Sequence, residues 1–324
     1  MKALDLSIII VSYNTREFLK NCLASILDSI EGNLSYEIIV VDNASTDASA
    51  SVISNLNPFD KLRVDAERSR SIKSQISNLK FVQNKRNLGF SRANNIGIKK
   101  AKGRYILFLN PDTIVYPNTL GAMIDFMDTH DDAGVATCKV VLPNGELDES
   151  CHRGFPTPWN AFSYFSGISK LFPKSKLFSG YTLTFIDLSI THEIDSAAGS
   201  FMLVRREAGE SVGWWDVDYF FYGEDIDFCY ELKAKGWKVY YVPTVSVLHY
   251  KGVSGGIKIV SKEITTADDK TRRLATRARF EAMKIFYKKH YLKKYPSLIT
   301  WLVLSGINIK LWSASKKVAL DLVT

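Results

Sequence analysis

Four short apolar runs, rich in branched and aromatic residues and each ending in polar residues, recur through the first 112 residues. They cover residues 6–14, 36–45, 79–84 and 104–110. Hydrophobic residues at helical spacing follow the first run at 15–30 and the third at 90–101, and residues 47–56 resemble a further helix. Continuous apolar strands alternating with helices are typical of a mostly parallel sheet covered by helices on both faces. The sequence therefore predicts an α/β fold.

Polar side chains occupy the positions where these predicted strands end. They are Tyr13, Asn14, Asp42, Asn43, Asn87 and the segment from Asn110 to Asp112. In open α/β sheets, ligands bind outside the carboxyl ends of the strands. Asp42 and Asn43 could bond a base edge or a ribose hydroxyl, although an ordinary strand-to-helix turn also explains them. We expect a ligand site at this edge.

Pro111 ends the fourth run, because proline cannot donate a hydrogen bond to a neighbouring strand. Asp112 then emerges at the carboxyl edge, where it could hold a hard divalent cation together with substrate phosphates. A Pro-Asp turn without a ligand is the alternative. His249 also follows an alternating apolar run and precedes a glycine-rich loop at 252–256, which is consistent with a loop that closes over phosphate.

Residues 214–237 place several acidic residues, among them Asp218, Glu224, Asp225 and Asp227, beside dense aromatic residues. Acidic residues in a first helical turn are favoured by the helix dipole, which explains Glu224 and Asp225 without a ligand. The aromatic density exceeds what the start of a helix requires and suits sugar rings. We predict a strand turning into a helix at 200–208 and a helix at 224–236 ended by Gly236. Two short strands divided by Pro243 are expected to follow.

Composition and charge narrow the protein class. The four cysteines show no C-x-x-C pairing, so free thiols in a reducing cytosol are expected rather than zinc. No signal peptide is recognisable, and no run of about 18 uncharged apolar residues supports a spanning helix. Neither G-x-G-x-x-G nor a P-loop pattern occurs, which argues against dehydrogenases and P-loop kinases.

The net charge of +8 is concentrated near the C-terminus. Residues 270–294 are strongly basic, with Glu281 as their only acid, and the moderately apolar residues 296–312 follow. Basic residues beside an apolar, Trp-containing helix suit an anionic membrane surface. A solvated basic helix followed by an ordinary packed helix is the alternative.

The order of these motifs resembles inverting glycosyltransferase family 2, which has the GT-A fold, a Rossmann-like sheet flanked by helices. The resemblance covers residues 6 to about 256 and rests on the following stretches: SIIIVSYN, VVDNASTD, NLGFSRANNIG, FLNPDT, AAGSFMLVRREA, GWWDVDYFFYGEDIDFCYELKAKGWKVYYVP and LHYKG. The N-P-D form of the metal motif is most similar to the rhamnosyltransferase-like branch. The implied organisation is a GT-A domain at 1–256, with a nucleotide-sugar half (1–112) and an acceptor half (113–256), and a basic helical extension at 257–324.

The resemblance implies a role for each matching residue. Asp225 would be the general base with Glu224 supporting it, and Asp112 and His249 would hold Mg²⁺ or Mn²⁺. Asn110 stands where many relatives carry another Asp, so this metal site would be less anionic. The donor would contact Tyr13, Asn14, Asp42, Asn43, Asn87, Arg92, Asn110, Gly199 and Ser200, and the acceptor would contact Trp214, Trp215 and Tyr222.

The resemblance further implies direct displacement of a nucleoside diphosphate by an acceptor hydroxyl, with inversion at the sugar. The donor is expected to be dTDP-rhamnose and the acceptor a glycan or a lipid-linked oligosaccharide of bacterial cell-surface polysaccharides such as O-antigen. A UDP-sugar donor, and a non-catalytic carbohydrate-binding relative, are the alternatives. A nucleotidyltransferase would need a Gly- and Lys-rich loop after the first strand, which VSYNTREFLK lacks. We expect no nucleic-acid partner and a cytoplasmic protein, or one peripheral on the inner face of the plasma membrane.

Overall fold

A computed structural model describes residues 4–30, 32, 34–50, 78–258 and 262–320, with side chains described up to residue 316. The strands are β1 (Leu4–Ser12), β2 (Tyr36–Asp42), β3 (Leu79–Gln83), β4 (Gly103–Leu109), β5 (Thr113–Val115), β6 (Ala133–Val141), β7 (His192–Ile194), β8 (Phe201–Arg205) and β9 (Lys238–His249). The helices are α1 (Arg16–Ser29), α2 (Phe90–Ile98), α3 (Thr119–Thr129), α4 (Pro158–Ser166), α5 (Ile168–Leu171), α6 (Arg206–Val212), α7 (Glu224–Ala234), α8 (Asp269–His290) and α9 (Ser297–Leu320). A 3-10 turn spans Glu149–Cys151.

The strands form one twisted sheet in the order β3-β2-β1-β4-β8-β6-β9-β5, with β7 paired to β9. The pairings give β1, β2, β3, β4, β6 and β9 one direction and β5, β7 and β8 the other. Every residue of β2 is buried, and β1 is buried from Leu6 to Ser12, because these strands are covered on both faces. The predicted α/β fold with a mostly parallel sheet is confirmed.

The four N-terminal strands predicted from sequence all form, and their register places the strand ends side by side. Ser12 pairs with Asp42, and Ile10 pairs with Leu109. The residues that follow these positions therefore reach the same edge of the sheet. Most of the predicted helix at 47–56 and the polar interval at 57–78 lie outside the described residues.

The prediction of two short strands divided by Pro243 is wrong, because β9 is one strand from Lys238 to His249. The pairing with β6 shifts at this point: Cys138 pairs with Val242, whereas Lys139 pairs with Ser246. Pro243 lies in the bulge between these pairs, where no partner strand requires its missing N–H. The strand therefore continues past the proline. The helix prediction at 224–236 is confirmed, with Gly236 in the left-handed region (φ +90°) just after the end of α7.

An apolar cluster, separate from the core around the sheet, and a set of polar contacts hold helix α8 against α7. Tyr219, Ala282, Phe286, Tyr287 and Tyr291 form the apolar cluster. The buried Asp227 of α7 accepts hydrogen bonds from Lys289 Nζ at 2.8 Å and from His290 Nε2 at 2.6 Å. Part of the basic segment is therefore bound to α7 rather than solvated.

Helix α9 is largely exposed and apolar. Its segment Ser297–Lys316 has a mean hydropathy of 1.2 and no buried residue, so its length and composition would allow it to cross a membrane. The criterion applied to the sequence did not support a spanning helix because it required about 18 uncharged residues, whereas α9 reaches this hydropathy with Lys310 included. The core helix of a soluble protein can satisfy the same test.

Candidate active site

An amide network fixes the end of β2 against the loop that precedes α2. Asn43 Nδ2 donates to Asn87 Oδ1 at 2.8 Å, and Asn43 Oδ1 accepts from Asn84 Nδ2 at 3.1 Å and from the Leu88 N–H at 3.0 Å. The side chains of Asn43 and Asn87 are thus hydrogen-bonded mainly to other groups of the protein. Their structural contribution is to shape the pocket wall, since buried amides are normally satisfied in this way.

Asp42 differs from these amides because one of its carboxylate oxygens has no protein partner. Oδ2 accepts the Ser45 N–H at 3.2 Å, whereas the buried Oδ1 has no partner among the described residues. A buried acceptor without a partner is costly and indicates a missing donor, such as a ligand hydroxyl or N–H. The nearby Asn14, with φ +52°, is occupied by the Thr46 N–H, which it accepts at 2.7 Å.

A narrow cavity of about 110 Å³ opens beside these strand ends. Tyr13, Asn43, Asn87, Asn110 and Asp112 contribute to its lining. The loop at 252–255 and the first turns of α8 complete the wall, so residues beyond the predicted GT-A domain enclose it. Arg92 lies exposed on α2, outside this lining.

Pairing of β5 with β9 brings Asp112 to His249, because Thr113 and His249 are register partners. Asp112 Oδ1 lies 3.4 Å from His249 Nε2, and Asn110 Nδ2 lies 3.3 Å from the same nitrogen. The other ring nitrogen, Nδ1, donates to Asp148 Oδ2 at 3.0 Å. Lys251 Nζ donates to Asp148 Oδ1 at 2.5 Å. A continuous chain of charged groups therefore runs from Asp112 to Lys251.

Charge within this chain sets the protonation of its members. Burial alone would lower the pKa of His249, but the Asp112 and Asp148 carboxylates raise it to about 9. Burial alone would raise the pKa of Asp148, but His249 and Lys251 hold it well below its usual range. His249 is therefore a cation between two carboxylates at neutral pH in the absence of a competing ion.

These residues fit a divalent cation. A ligating His commonly gives its second ring N–H to a carboxylate, as His249 does to Asp148, while a carboxylate oxygen lies beside the free ring nitrogen. A cation bound at Nε2 competes with the ring proton. Asp148 was missed from the sequence because it lies in a loop that carries no motif. The cap it provides to Ser150 N at 2.9 Å is the only local signal it offers.

Asp225 and Glu224 begin α7, after Gly223 in the left-handed region (φ +80°). Asp225 Oδ2 accepts a hydrogen bond at 2.8 Å from Arg153, which also donates to the Ala197 carbonyl at 2.9 Å. Burial, followed by the neighbouring Asp225, raises the pKa of Glu224 to about 8. Asp225 is thus held in place by an arginine that sequence patterns did not indicate, and Glu224 carries a proton at neutral pH.

A wider cavity of about 960 Å³ adjoins the narrow one, and Asn110 and Gly252 line both. Its lining includes Asn110, Gly199, Ser200, Glu224, Asp225, Tyr222 and His249. The structure does not bring Trp214 or Trp215 to this lining. Trp215 is buried in the core, where its ring stacks 5.0 Å from Phe228, and Trp214 stacks 6.4 Å from Phe228. Both tryptophans also pack against Phe108 of β4 rather than lining the cavity.

Known proteins share both sequence and fold with this chain. The family model described as "Glycosyl transferase family 2" matches residues 7–213, which includes Asp42, Asp112 and Gly199 and ends before Asp225. The chain is 30% identical over 229 residues to Rhamnosyltransferase WbbL of Escherichia coli (strain K12), covering 66% of this chain and 82% of the relative. It is 25% identical over 262 residues to N-acetylglucosaminyl-diphospho-decaprenol L-rhamnosyltransferase of Mycobacterium tuberculosis (strain ATCC 25618 / H37Rv), covering 78% of each.

Two solved structures show the same fold at lower identity. One is GalNAc-T7 with UDP, GalNAc and Mn²⁺, with a TM-score of 0.52 and 18% identity, covering 76% of this chain and 44% of that chain. The other is S. aureus TarS 1-349, with a TM-score of 0.51 and 16% identity, covering 97% of this chain and 82% of that chain. The GT-A fold is confirmed.

Proposed function

Because the chain belongs to glycosyl transferase family 2 and is therefore a glycosyltransferase, we propose that it transfers a sugar with inversion from a nucleoside diphosphate to an acceptor hydroxyl. One observation carries the proposal. Asn110 and Gly252 line both the narrow cavity beside the strand ends and the wide cavity beside Asp225, so the two cavities adjoin. We place the nucleotide on the narrow side and the acceptor on the wide side, with the sugar between them at Gly199 and Ser200.

Residues in and beside the narrow cavity bind and orient the donor. Asp42 Oδ1, which lacks a partner among the described residues, accepts a hydrogen bond from the base or ribose. Asp112 and His249 would hold Mg²⁺ or Mn²⁺, which would supply charge neutralisation at the departing diphosphate. Asp148 keeps the His249 ring oriented through Nδ1. The glycine-rich loop at 252–255 covers the diphosphate and excludes water.

Asp225 acts as the general base in the wide cavity. Its carboxylate lies in the cavity lining and takes the proton of the acceptor hydroxyl as that oxygen attacks the sugar. Arg153 orients this carboxylate at 2.8 Å. Glu224 is neutral at pH 7 because burial raises its pKa to about 8, so it adds no second negative charge beside the base. Attack from the acceptor side, opposite the diphosphate, inverts the anomeric centre.

We propose dTDP-rhamnose as donor and a lipid-linked glycan as acceptor. Two relatives named as rhamnosyltransferases support the sugar, and diphospho-decaprenol in one of these names supports the acceptor. UDP in the GalNAc-T7 structure keeps a UDP-sugar as the alternative donor. The organisation into a GT-A domain at 1–256 and an extension at 257–324 remains part of this proposal. We also propose that α9 attaches the protein peripherally to the inner membrane face, because it is apolar, exposed and preceded by the basic α8.

A thermal-shift screen of dTDP and UDP, each with Mn²⁺, Mg²⁺ or EDTA, tests the donor and the metal together. We expect a larger stabilisation by dTDP with Mn²⁺ than by either alone, and no metal-dependent part in Asp112→Asn. Transfer from dTDP-rhamnose, with Asp225→Asn as control, then tests catalysis. A shift selective for UDP would contradict the rhamnose donor, and full activity of Asp225→Asn would contradict the assignment of the base.

A further inference from the structure

The wide cavity continues away from Asp225 as an apolar groove between three helices. Phe162 and Phe165 of α4, Met283 of α8, and Leu302 and Val303 of α9 line it. Phe162 and Leu302 are 55% and 51% exposed, so the groove is open to solvent along one side. Its total volume of about 960 Å³ lies at the upper end of ordinary ligand pockets, ~300–1,000 Å³. The apolar part extends well beyond the carboxylate that deprotonates the acceptor.

Positive charge collects where this groove meets the catalytic carboxylates. Arg153, Lys251, Lys258 and Arg279 all line this part of the cavity. Arg153 is paired with Asp225, and Lys251 with Asp148. Arg279 is half-buried and forms no ion pair with any carboxylate in the described part of the chain.

The cations lie close enough to one another to perturb each other. Burial, followed by the positive charges of Arg279, Lys251 and Arg153, lowers the pKa of Lys258 to about 8. A cavity wall that gathers like charges in this way is stabilised by an anion bound among them. Phosphate groups match this need, since guanidinium and ammonium groups donate charge-assisted hydrogen bonds to phosphate oxygens.

Along the cavity, the proposed base Asp225 therefore comes first, the cationic side chains follow, and the apolar groove lies beyond them. We propose that the cation cluster (Arg153, Lys251, Lys258, Arg279) and the α4/α8/α9 groove bind the phosphate and the long alkyl chain of an acceptor whose sugar is linked through phosphate to that chain. The proposal rests on the proposed function, because it assigns the acceptor of the same site. Lys310 of α9 lies 4.6 Å from the Phe165 ring of α4, so the two helices close around one side of a single chain.

Isothermal titration of the full-length protein in EDTA tests this proposal, with farnesyl diphosphate as the probe. Pyrophosphate has the charge without the chain, and farnesol has the chain without the charge. We expect farnesyl diphosphate to bind at least about tenfold more tightly than either fragment, because both halves of the site must be filled. EDTA removes metal-mediated binding at Asp112, and a separate titration of dTDP with Mn²⁺ shows whether the donor site is intact.

Matched variants separate the two halves of the site. Arg279→Gln is expected to weaken farnesyl diphosphate about tenfold, whereas Arg277→Gln, on the exposed face of the same helix, leaves it unchanged. Leu302→Ser, in the groove, is expected to weaken the probe several-fold, and Leu298→Ser, which is 64% exposed and outside the lining, is not. All four positions are at least partly exposed, so folding is preserved.

Three results would overturn the proposal. In the first, pyrophosphate and farnesyl diphosphate bind with equal affinity. In the second, each groove or cluster variant weakens farnesyl diphosphate no more than its matched control does. In the last, the protein binds phosphatidylglycerol vesicles but not farnesyl diphosphate, and Leu298→Ser and Leu302→Ser weaken vesicle binding equally. That result would show that α9 docks on a bilayer instead. If dTDP with Mn²⁺ binds normally in any of these cases, the groove assignment fails while the proposed function stands.

Discussion

Replacing Asp148 with Asn removes the carboxylate that links His249 and Lys251. Its side chain is completely buried, and its two oxygens accept hydrogen bonds from these two cations at 3.0 Å and 2.5 Å. Removing one partner of a buried ion pair typically costs ~3–5 kcal/mol. With an unfolding entropy of ~2.1 cal/mol/K per residue, a 324-residue chain loses ~1.5 °C of Tm per kcal/mol. Asp148→Asn is therefore expected to lower Tm by ~4–7 °C.

The same substitution should weaken binding of the proposed metal ion, because Asp148 orients the ring of His249, one of its proposed ligands. Losses of ~10–100-fold in metal affinity are typical when such a supporting carboxylate is removed. Calorimetric titration of Mn²⁺ in the presence of saturating dTDP measures this affinity, and differential scanning fluorimetry measures Tm.

Asp132→Asn is the matched control, because Asp132 pairs with Lys238 at 2.7 Å while both side chains are 45% exposed. Exposed ion pairs contribute little, so neither Tm nor metal affinity should change. If Asp148→Asn matched this control in both measurements, the inferred support of His249 by Asp148 would be refuted.

Three further predictions follow from the geometry. Asp225→Asn is expected to slow transfer by ~10²–10⁴-fold, measured by product formation, while dTDP binding measured by calorimetry is retained. Glu224 has a pKa raised by burial from 4.5 to about 8, so it destabilises the fold progressively as the pH rises through this interval. Glu224→Gln should flatten the fall in Tm between pH 5 and 8.5, and an unchanged slope would contradict the raised pKa. Gly89→Ala should destabilise the protein, because Gly89 has φ +83° and an added Cβ would lie 2.5 Å from the Phe220 carbonyl oxygen. The control Gly121→Ala, on α3 with open space around it, should leave urea stability unchanged or slightly higher.

Much of the donor side could be predicted because it depends on local patterns. Each apolar run had to become a buried strand, and parallel strands end at one edge, so Asp42 and Asp112 were expected at the same ligand site. The structure agrees on their placement, and β1, β2 and β4 end in register there. The prediction at Pro243 failed because propensity alone does not show that a bulge removes the need for the missing N–H.

The acceptor side depends on contacts between distant segments, which leave no periodic signal. Arg153 and Asp225 are 72 residues apart, and His249 and Asp148 are 101 residues apart. Trp214 and Trp215 were expected at the acceptor because aromatic residues beside acids suit sugars. They pack on Phe228 instead, because two indoles gain more from core burial than from a cavity wall.

The sequence by itself determined the sheet, the order of the strand ends and the acids and histidine that follow them, because burial periodicity and turn chemistry act within a few residues. Only the tertiary structure decided which partners these groups meet. It placed Asp148 behind His249, Arg153 against Asp225, and α8 over both cavities, because electrostatic and packing energies act through space between residues that are far apart in the chain. The roles proposed for Asp112 and Asp225 came from the motifs around them in the sequence, whereas their environment came from the fold.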